Sequence, residues 1–413
     1  MKKILLLMIA FLLITGAMTV YAQNDPAKGT VVAARSNYAP PGRPHTHLFF
    51  FIPETGPQPS IPSGETPASI ACVYGVFPAE LPGPCLKGSG SIPTGGTQAV
   101  VLVDYGRYSA LQSDLNTFST QWGLPAVTLH EICSPGPPPC PDNTGTDWDV
   151  EEALDIEWAH AMAPHAAIYL SEWTNDPLTD GAETAGANAA VALGGGEVSN
   201  SWTYNGGEFS GELGLDPYFQ VNSVVFFAAA GDAGLGPEYP SISPFVVSAG
   251  GTHINRDSNG NFLQTESCWS GSGGGISIYE PRPSYQNIPH VKAIVGNFRG
   301  TPDMSADADP ASGVSIYNSS TCHGFCIVGG TSVASPVLAG YVNGAGHFLA
   351  STNAELYKTY HLDSANGLGY WYTPIDSNPH PPFFDITTGG GGRATPGWDN
   401  CTGIGSPRTP SNF

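Results

Sequence analysis

Ala99-Val-Val-Leu-Val103 is an unbroken apolar run that begins where the texture of the chain changes, at about Gly96. A run with no polar face suits a strand buried on both sides, as in a parallel sheet covered by helices. Beyond this run the chain alternates. Ser113–Trp122 reads as a helix, Ala126–Leu129 as a short strand, Asp149–Ala163 as a helix stopped by Pro164, and Ala166–Leu170 as a strand. Ala182–Leu193 is an Ala-rich helix, and strand-like runs recur at Val198–Trp202, Ser223–Ala229 and Pro244–Ala249. This alternation predicts an α/β domain with a mainly parallel central sheet flanked by helices. In such sheets an active site lies beyond the carboxyl ends of the strands.

Toward the amino end the order weakens. Residues 23–68 are rich in Pro, Gly, Ser and Thr, with one apolar patch at Leu48–Ile52, and read as an extended arm, not a folded unit. Ahead of it, Lys2 and Lys3 precede an apolar run from Ile4 to Leu13, and Val20-Tyr-Ala22 offers small or medium residues for cleavage after Ala22. That is the pattern of a signal peptide over residues 1–22, its apolar core short against the ~20 residues a membrane span needs. Secretion is the expected localisation. Eight cysteines agree with an oxidising compartment. Cys72/Cys85, Cys133/Cys140 and Cys322/Cys326 are near neighbours, which would leave Cys268 and Cys401 as a further pair. No CxxC occurs, so zinc knuckles are not expected.

The 413 residues, 41% of them hydrophobic, can bury a sizeable core in one large domain. Only 14 Lys+Arg face 35 Asp+Glu, a formal charge of −21. Such a surface is a poor partner for nucleic acid or anionic membranes. It reads either as a solvated acidic surface or as one suited to acid, where a chain with few bases avoids strong positive self-repulsion once carboxylates protonate near pH ~4.

Gly329-Gly-Thr-Ser-Val-Ala-Ser-Pro336 precedes a helical stretch. Glycines before a serine at a helix start allow a tight turn and leave amide N–H groups facing a developing oxyanion. Ser332 is thus a candidate nucleophile, with a helix-capping serine as the structural alternative. Pro336 is expected in the first turns, where a missing amide proton costs little. Along Asp149–Ala163, Glu151 and Asp155 stand four apart on one helical face. Two neighbouring carboxylates cannot both ionise cheaply, so one retains a proton and suits general acid–base work in mild acid. Glu152 and Glu157 share the helix, but neither has an acid four positions onward. Phe226-Phe-Ala-Ala-Ala-Gly-Asp-Ala-Gly234 is a buried strand breaking into a glycine-flanked turn at Asp232.

Gly-Thr-Ser-x-Ala-Ser-Pro resembles the serine motif of subtilisin-like peptidases and, in closely similar form, of the sedolisins. A subtilisin-type enzyme needs a His base. Thr252-His253 after Gly250-Gly251 imitates its setting but runs into a polar turn, and His160 reads as polar packing. The helix with Glu151 and Asp155, ending at an Ala-Pro turn, resembles the sedolisin Glu-x-x-x-Asp helix. The resemblance extends from about residue 69 to the end, through Val198-Ser-Asn-Ser-Trp202, Tyr239-Pro, Trp269–Gln286 and Arg299-Gly-Thr-Pro-Asp-Met304.

The resemblance implies a subtilisin-like three-layer fold and a calcium-dependent, acid-acting serine-carboxyl peptidase. Ser332 would be its nucleophile, Glu151 the base, Asp155 its partner, and Asp232 an oxyanion donor that works only when protonated. It also implies one structural Ca²⁺ on Asp385, Ile386, Thr395, Gly397 and Asp399, with Thr395 where the family usually has Gly. Polypeptide substrates and a monomeric state are expected. Sedolisins generally carry a large folded propeptide, and residues 23–68 are too short for one. A catalytically silent binding module and a neutral protease with a His base are the other readings.

Overall fold

A computed structural model describes residues 28–54, 56, 60, 62–77, 83–346, 352–365 and 383–409. The leader read over residues 1–22 lies outside the described residues. The central sheet has eight strands. Across it run Phe262–Cys268, Val246–Arg256, Val224–Ala229, Gly196–Asn200, Ala99–Tyr105, Ala167–Trp173 and Leu129–Ser134, with Met304–Asp307 also pairing onto Val246–Arg256. Every pairing is parallel except that of Val246–Arg256 with Phe262–Cys268.

Parallel neighbours need crossovers, and the helices Leu111–Trp122, Trp148–Met162 and Ala182–Ala192 supply them. The chain leaves Ala99–Tyr105 for the edge at Leu129–Ser134, returns through Ala167–Trp173, then crosses to the other side at Gly196–Asn200. The order therefore reverses about Ala99–Tyr105, and a crevice opens at the strand ends there.

The apolar run at the centre has two faces, as a period-two strand must. Val100 and Leu102 pack into the core shared with Leu154, Val333 and Leu338, whereas Ala99, Val101 and Val103 pack with Ala187 and Ala190. Each buried Val or Leu contributes roughly 1.5–3 kcal/mol against exposure. These two cores make three layers, the arrangement expected from the alternation.

The second strand begins later than its sequence suggests, at Leu129 and not at Ala126. The Gln112 amide explains this: its Nε2 donates to the Val127 carbonyl and its Oε1 accepts from the Leu129 N–H. Those backbone groups are satisfied before the ladder with Ala167–Trp173 starts.

The helix Thr331–Gly344 lies against Trp148–Met162, and both are buried almost throughout. Gly340 permits the approach, since a Cβ there would stand 2.8 Å from the Ala159 carbonyl oxygen. Pro336 is the sixth residue of this helix, past the first turn where a proline is expected to be tolerated. Its missing N–H leaves the Ser332 carbonyl without a helical partner, and the Ser201 hydroxyl oxygen lies 3.3 Å from that carbonyl.

The described part of the segment read as an arm forms strands and a 3-10 turn joined to the body. Gly29–Ala33 pairs with Phe49–Pro53, which pairs in turn with Gly324–Gly329. Pro44–Thr46 adds antiparallel to Trp202–Tyr204. Four disulfides close Cys72–Cys85, Cys133–Cys140, Cys268–Cys401 and Cys322–Cys326. None of the described helices is long and apolar enough to cross a membrane.

Candidate active site

The crevice collects groups from distant parts of the chain. The strand Gly324–Gly329 ends in Gly330, whose φ of 110° only glycine adopts readily, and the next helix presents Ser332 in its first turn. Ser332 is fully buried. Its hydroxyl donates to the Ser201 carbonyl at 3.4 Å. The Ser201 hydroxyl donates to Asp155 Oδ1 at 2.8 Å, so one serine ties the acid helix to the nucleophile helix.

All fifteen residues of Trp148–Met162 are buried, acids included. Structural partners satisfy three of those acids. Asp149 accepts from the Gly145 and Asp147 N–H groups and from Thr321, Glu152 from the Tyr108 N–H and Asn143, and Glu157 from the Tyr317 N–H. Glu151 differs. The Ser332 and Ser201 hydroxyls are near enough to favour its charged form, yet neither closes a well-formed hydrogen bond on it. Burial, then the charge of Asp104, pushes the Glu151 carboxyl well above its ordinary range. Burial, Asp104 and Glu151 do the same to Asp155. Each acid therefore resists giving up its proton, and the charge of Glu151 adds to the resistance of Asp155.

Asp104, at the end of the central strand, belongs to no motif in the sequence. It is fully buried, makes no hydrogen bond, and is pushed up to about 7 by burial. A carboxyl directly after a buried run, at a strand's carboxyl end, is the signal that could have found it. Ser201 lies within the stretch Val198–Trp202 that resembles a sedolisin segment, but nothing local shows that it bridges Asp155 and Ser332.

Asp232 sits across the nucleophile turn. Its Oδ1 accepts from the Thr331 N–H and hydroxyl, both at 2.8 Å, while Oδ2 has no partner. Burial outweighs those bonds and pushes the carboxyl up to about 7. Below that pH it carries a proton able to donate. Beside it, Phe49, Trp269, Gly271, Asp309 and Pro310 line an open cleft.

The arm crosses this site. The His47 N–H donates to Ser332 Oγ at 3.2 Å, and the Ser332 N–H donates to the His47 carbonyl at 3.4 Å. The His47 ring lies 3.2 Å from Glu238 Oε2. Burial pulls its pKa down, but the Glu238 carboxylate wins and raises it, and the same contact lowers that of Glu238 against burial. Burial, with His47 adding to it, lowers His45 to about 4.

The other histidines stand elsewhere. His160 Nε2 meets the Pro125 carbonyl at 2.9 Å, and burial lowers its pKa to about 4. His253 lies 3.4 Å from Asp309.

Near the carboxyl end, Asp385 accepts from the Gly397 N–H at 3.0 Å, and Asp399 accepts from the N–H groups of Thr395, Cys401 and Thr402. Ile386 is fully buried beside them. Burial and the neighbouring Asp399 push Asp385 up to about 7, with no cationic side chain among the causes. Asp385 is half-buried and Asp399 buried, and both accept from N–H groups of the loop 395–397. Two carboxylates held on one loop are hard oxygen donors of the kind that suits Ca²⁺.

No family model matches the chain. Its sequence is 28% identical to kumamolisin from Bacillus sp. (strain MN-32) over 391 residues, covering 86% of this chain and 64% of that protein. It is 26% identical to sedolisin from Pseudomonas sp. (strain 101), covering 85% and 64%. The chain thus spans somewhat less than two thirds of these relatives. Human tripeptidyl-peptidase 1 aligns over 210 residues at 29% identity, covering 44% of this chain and 35% of that protein. Among solved structures, Pseudomonas sedolisin complexed with pseudo-iodotyrostatin matches with a TM-score of 0.66 at 22% identity, covering 84% of this chain and 96% of that one. That likeness shows the fold.

Proposed function

We propose that the chain is a sedolisin-family peptidase with the subtilisin-like fold, secreted and acting in acid through Ser332, Glu151, Asp155 and Asp232. The observation that carries the reading is that Ser201 ties Asp155 to Ser332, with Glu151 one turn earlier on the helix of Asp155 and the unpartnered oxygen of Asp232 beside the Ser332 turn.

Ser332 Oγ attacks the carbonyl carbon of a peptide bond and its proton passes to Glu151, which must be ionised for this step while Asp155 keeps its proton. Asp155, held by Ser201, shares the proton load of Glu151. The oxyanion accepts hydrogen bonds from the Ser332 N–H and from protonated Asp232. The C–N bond breaks as Glu151 returns the proton to the leaving amine, giving an acyl-enzyme. Water, deprotonated by Glu151, then attacks the acyl carbon, and the bond to Ser332 Oγ breaks as Glu151 returns that proton to Oγ, releasing the acid product and restoring both groups. Asp232 must be neutral to donate, which sets the acid requirement.

The side chains of Asp385 and Asp399, with the carbonyls of Ile386, Thr395 and Gly397, would hold one Ca²⁺. The ion would neutralise buried charge and cross-link the segment. Leader, disulfides and acidic surface support export, and polypeptides are the substrates. With the arm seated, Ser332 is closed to them.

Casein cleavage between pH 3 and 8 tests the reading. Activity confined to acid and absent from Ser332→Ala supports it; a neutral optimum points to a histidine base, and no cleavage at any pH to a binding module.

A further inference from the structure

His45 and His47 alternate with Thr46 along an extended stretch, so their rings fall on one side of it. Their ring planes are 68° apart with centroids at 4.9 Å, and both face Glu238 on the body of the protein. The ligand atoms of the three side chains all lie within 4.8 Å of one another. Thr203 stands among them, its hydroxyl 2.7 Å from His47 Nε2, 3.4 Å from His45 Nε2 and 2.6 Å from Glu238 Oε2.

Counting protons exposes a mismatch in this bonding. The His45 Nδ1 lies 3.0 Å from the Thr46 carbonyl, which can only accept, so Nδ1 carries the ring proton. In the neutral ring Nε2 is then a lone pair. Thr203 has a single hydroxyl proton, and it goes to Glu238. His45 Nε2 therefore points its lone pair at an oxygen with no proton to give. A ring nitrogen fixed by a backbone carbonyl, next to a second imidazole and a carboxylate, is the usual setting of a bound transition ion.

We propose that His45, His47 and Glu238 bind one divalent transition cation of the zinc class, and that the ion fastens the arm over Ser332. Two imidazoles and a carboxylate suit zinc better than calcium or magnesium, which take oxygen ligands. A tetrahedral ion wants its ligands about 3.3 Å apart. The present spread closes by side-chain rotation, with Thr203 or water as the fourth ligand. Two ligands come from the arm and one from the body, so release of the ion frees the arm. Only that consequence for catalysis rests on the peptidase reading; binding itself does not.

The test uses the full-length chain carrying Ser332→Ala, which cannot cut its own arm. After chelation and desalting, zinc is titrated by calorimetry and trypsin cleavage at Arg35 is timed with and without zinc. One zinc per chain is expected, with uptake weakened at least ~10-fold in His45→Ala and in Glu238→Gln. Zinc should slow cleavage at Arg35 in the parent and not in either variant. No zinc uptake, or equal uptake by parent and both variants, overturns the site. Zinc bound at these residues with no change in arm cleavage overturns the fastening. Since the parent protein has no turnover, neither result depends on whether the chain is a peptidase.

Discussion

The His47 N–H and the Ser332 N–H bond reciprocally, the first to the Ser332 hydroxyl at 3.2 Å and the second to the His47 carbonyl at 3.4 Å. Just before His47, the arm pairs antiparallel with Trp202–Tyr204, and just after it with Gly324–Gly329. If Ser332 is the nucleophile, an extended segment that adds to two strands and meets it between them would occupy the path of a peptide substrate. A synthetic peptide of residues 42–54 should inhibit enzyme from which the arm has been removed, raising KM and leaving kcat unchanged. Equal inhibition by a scrambled peptide would show that the strand pairing confers nothing.

On the proposed mechanism Asp232 would set the upper pH limit. Its carboxyl, pushed up to about 7 by burial, is a donor below that value and an acceptor above it. In wild type kcat should fall as pH rises through 7. Asp232→Asn keeps a donor at every pH, so its fall should flatten. Asp232→Ala should lose roughly 10²–10³ in kcat at the acid optimum. A wild-type limb unchanged in Asp232→Asn would remove Asp232 from the oxyanion site.

Glu151 sets activity against stability. Burial and Asp104 make its charged form costly, and no well-formed hydrogen bond offsets that cost. Glu151→Gln removes the ionisable group while keeping its shape. Activity should drop by about 10²–10⁴, the usual contribution of a general base. At pH 7 the variant should melt higher than wild type, since buried groups that resist ionisation destabilise most where the solvent deprotonates them. A lower melting temperature would mean that Glu151 is held by contacts its environment does not reveal.

For the candidate calcium site the expectation is a loss of stability on chelation. Asp385 is half-buried, Asp399 is buried, and the charge of Asp399 raises the pKa of Asp385. Chelator should lower the melting temperature of wild type, and added calcium should restore it. Asp385→Asn should respond to neither. A wild-type melt unchanged by chelator and calcium eliminates the ion.

Local pattern made part of this legible. The strand Ala99–Tyr105, the acid helix and the glycine turn before Ser332 each follow from a few neighbouring residues, because burial periodicity and turn geometry act over such distances. What escaped is long-range. Gln112 delays the strand at Leu129 across 17 positions, and Ser201 bridges Asp155 and Ser332 from 46 and 131 positions away. His47 reaches Ser332 across 285 positions. Nothing in His45-Thr-His47 marks a path over a nucleophile, for its partners are supplied wholly by the fold. Pro336 shows the same limit: its effect on the Ser332 carbonyl depends on where the helix begins.

Acid should stabilise this protein as well as activate it. Glu183 and Glu197 are buried against the amides of Asn200 and Asn343, at 3.3 and 2.7 Å, and burial pushes each carboxyl up to about 8. An unfolded glutamate titrates near ~4.3. Between those values the unfolded chain has released the proton that the fold still holds, so the unfolded state gains with rising pH. Their favourable contribution is complete below about 4 and is lost as pH rises through 8. The melting temperature should therefore fall steadily from pH 4 to pH 8. Glu197→Gln carries no such proton. It should match wild type at pH 4 and melt above it at pH 8, a difference that general charge repulsion would not produce. Parallel profiles for the two proteins would mean that Glu197 ionises within the fold without cost.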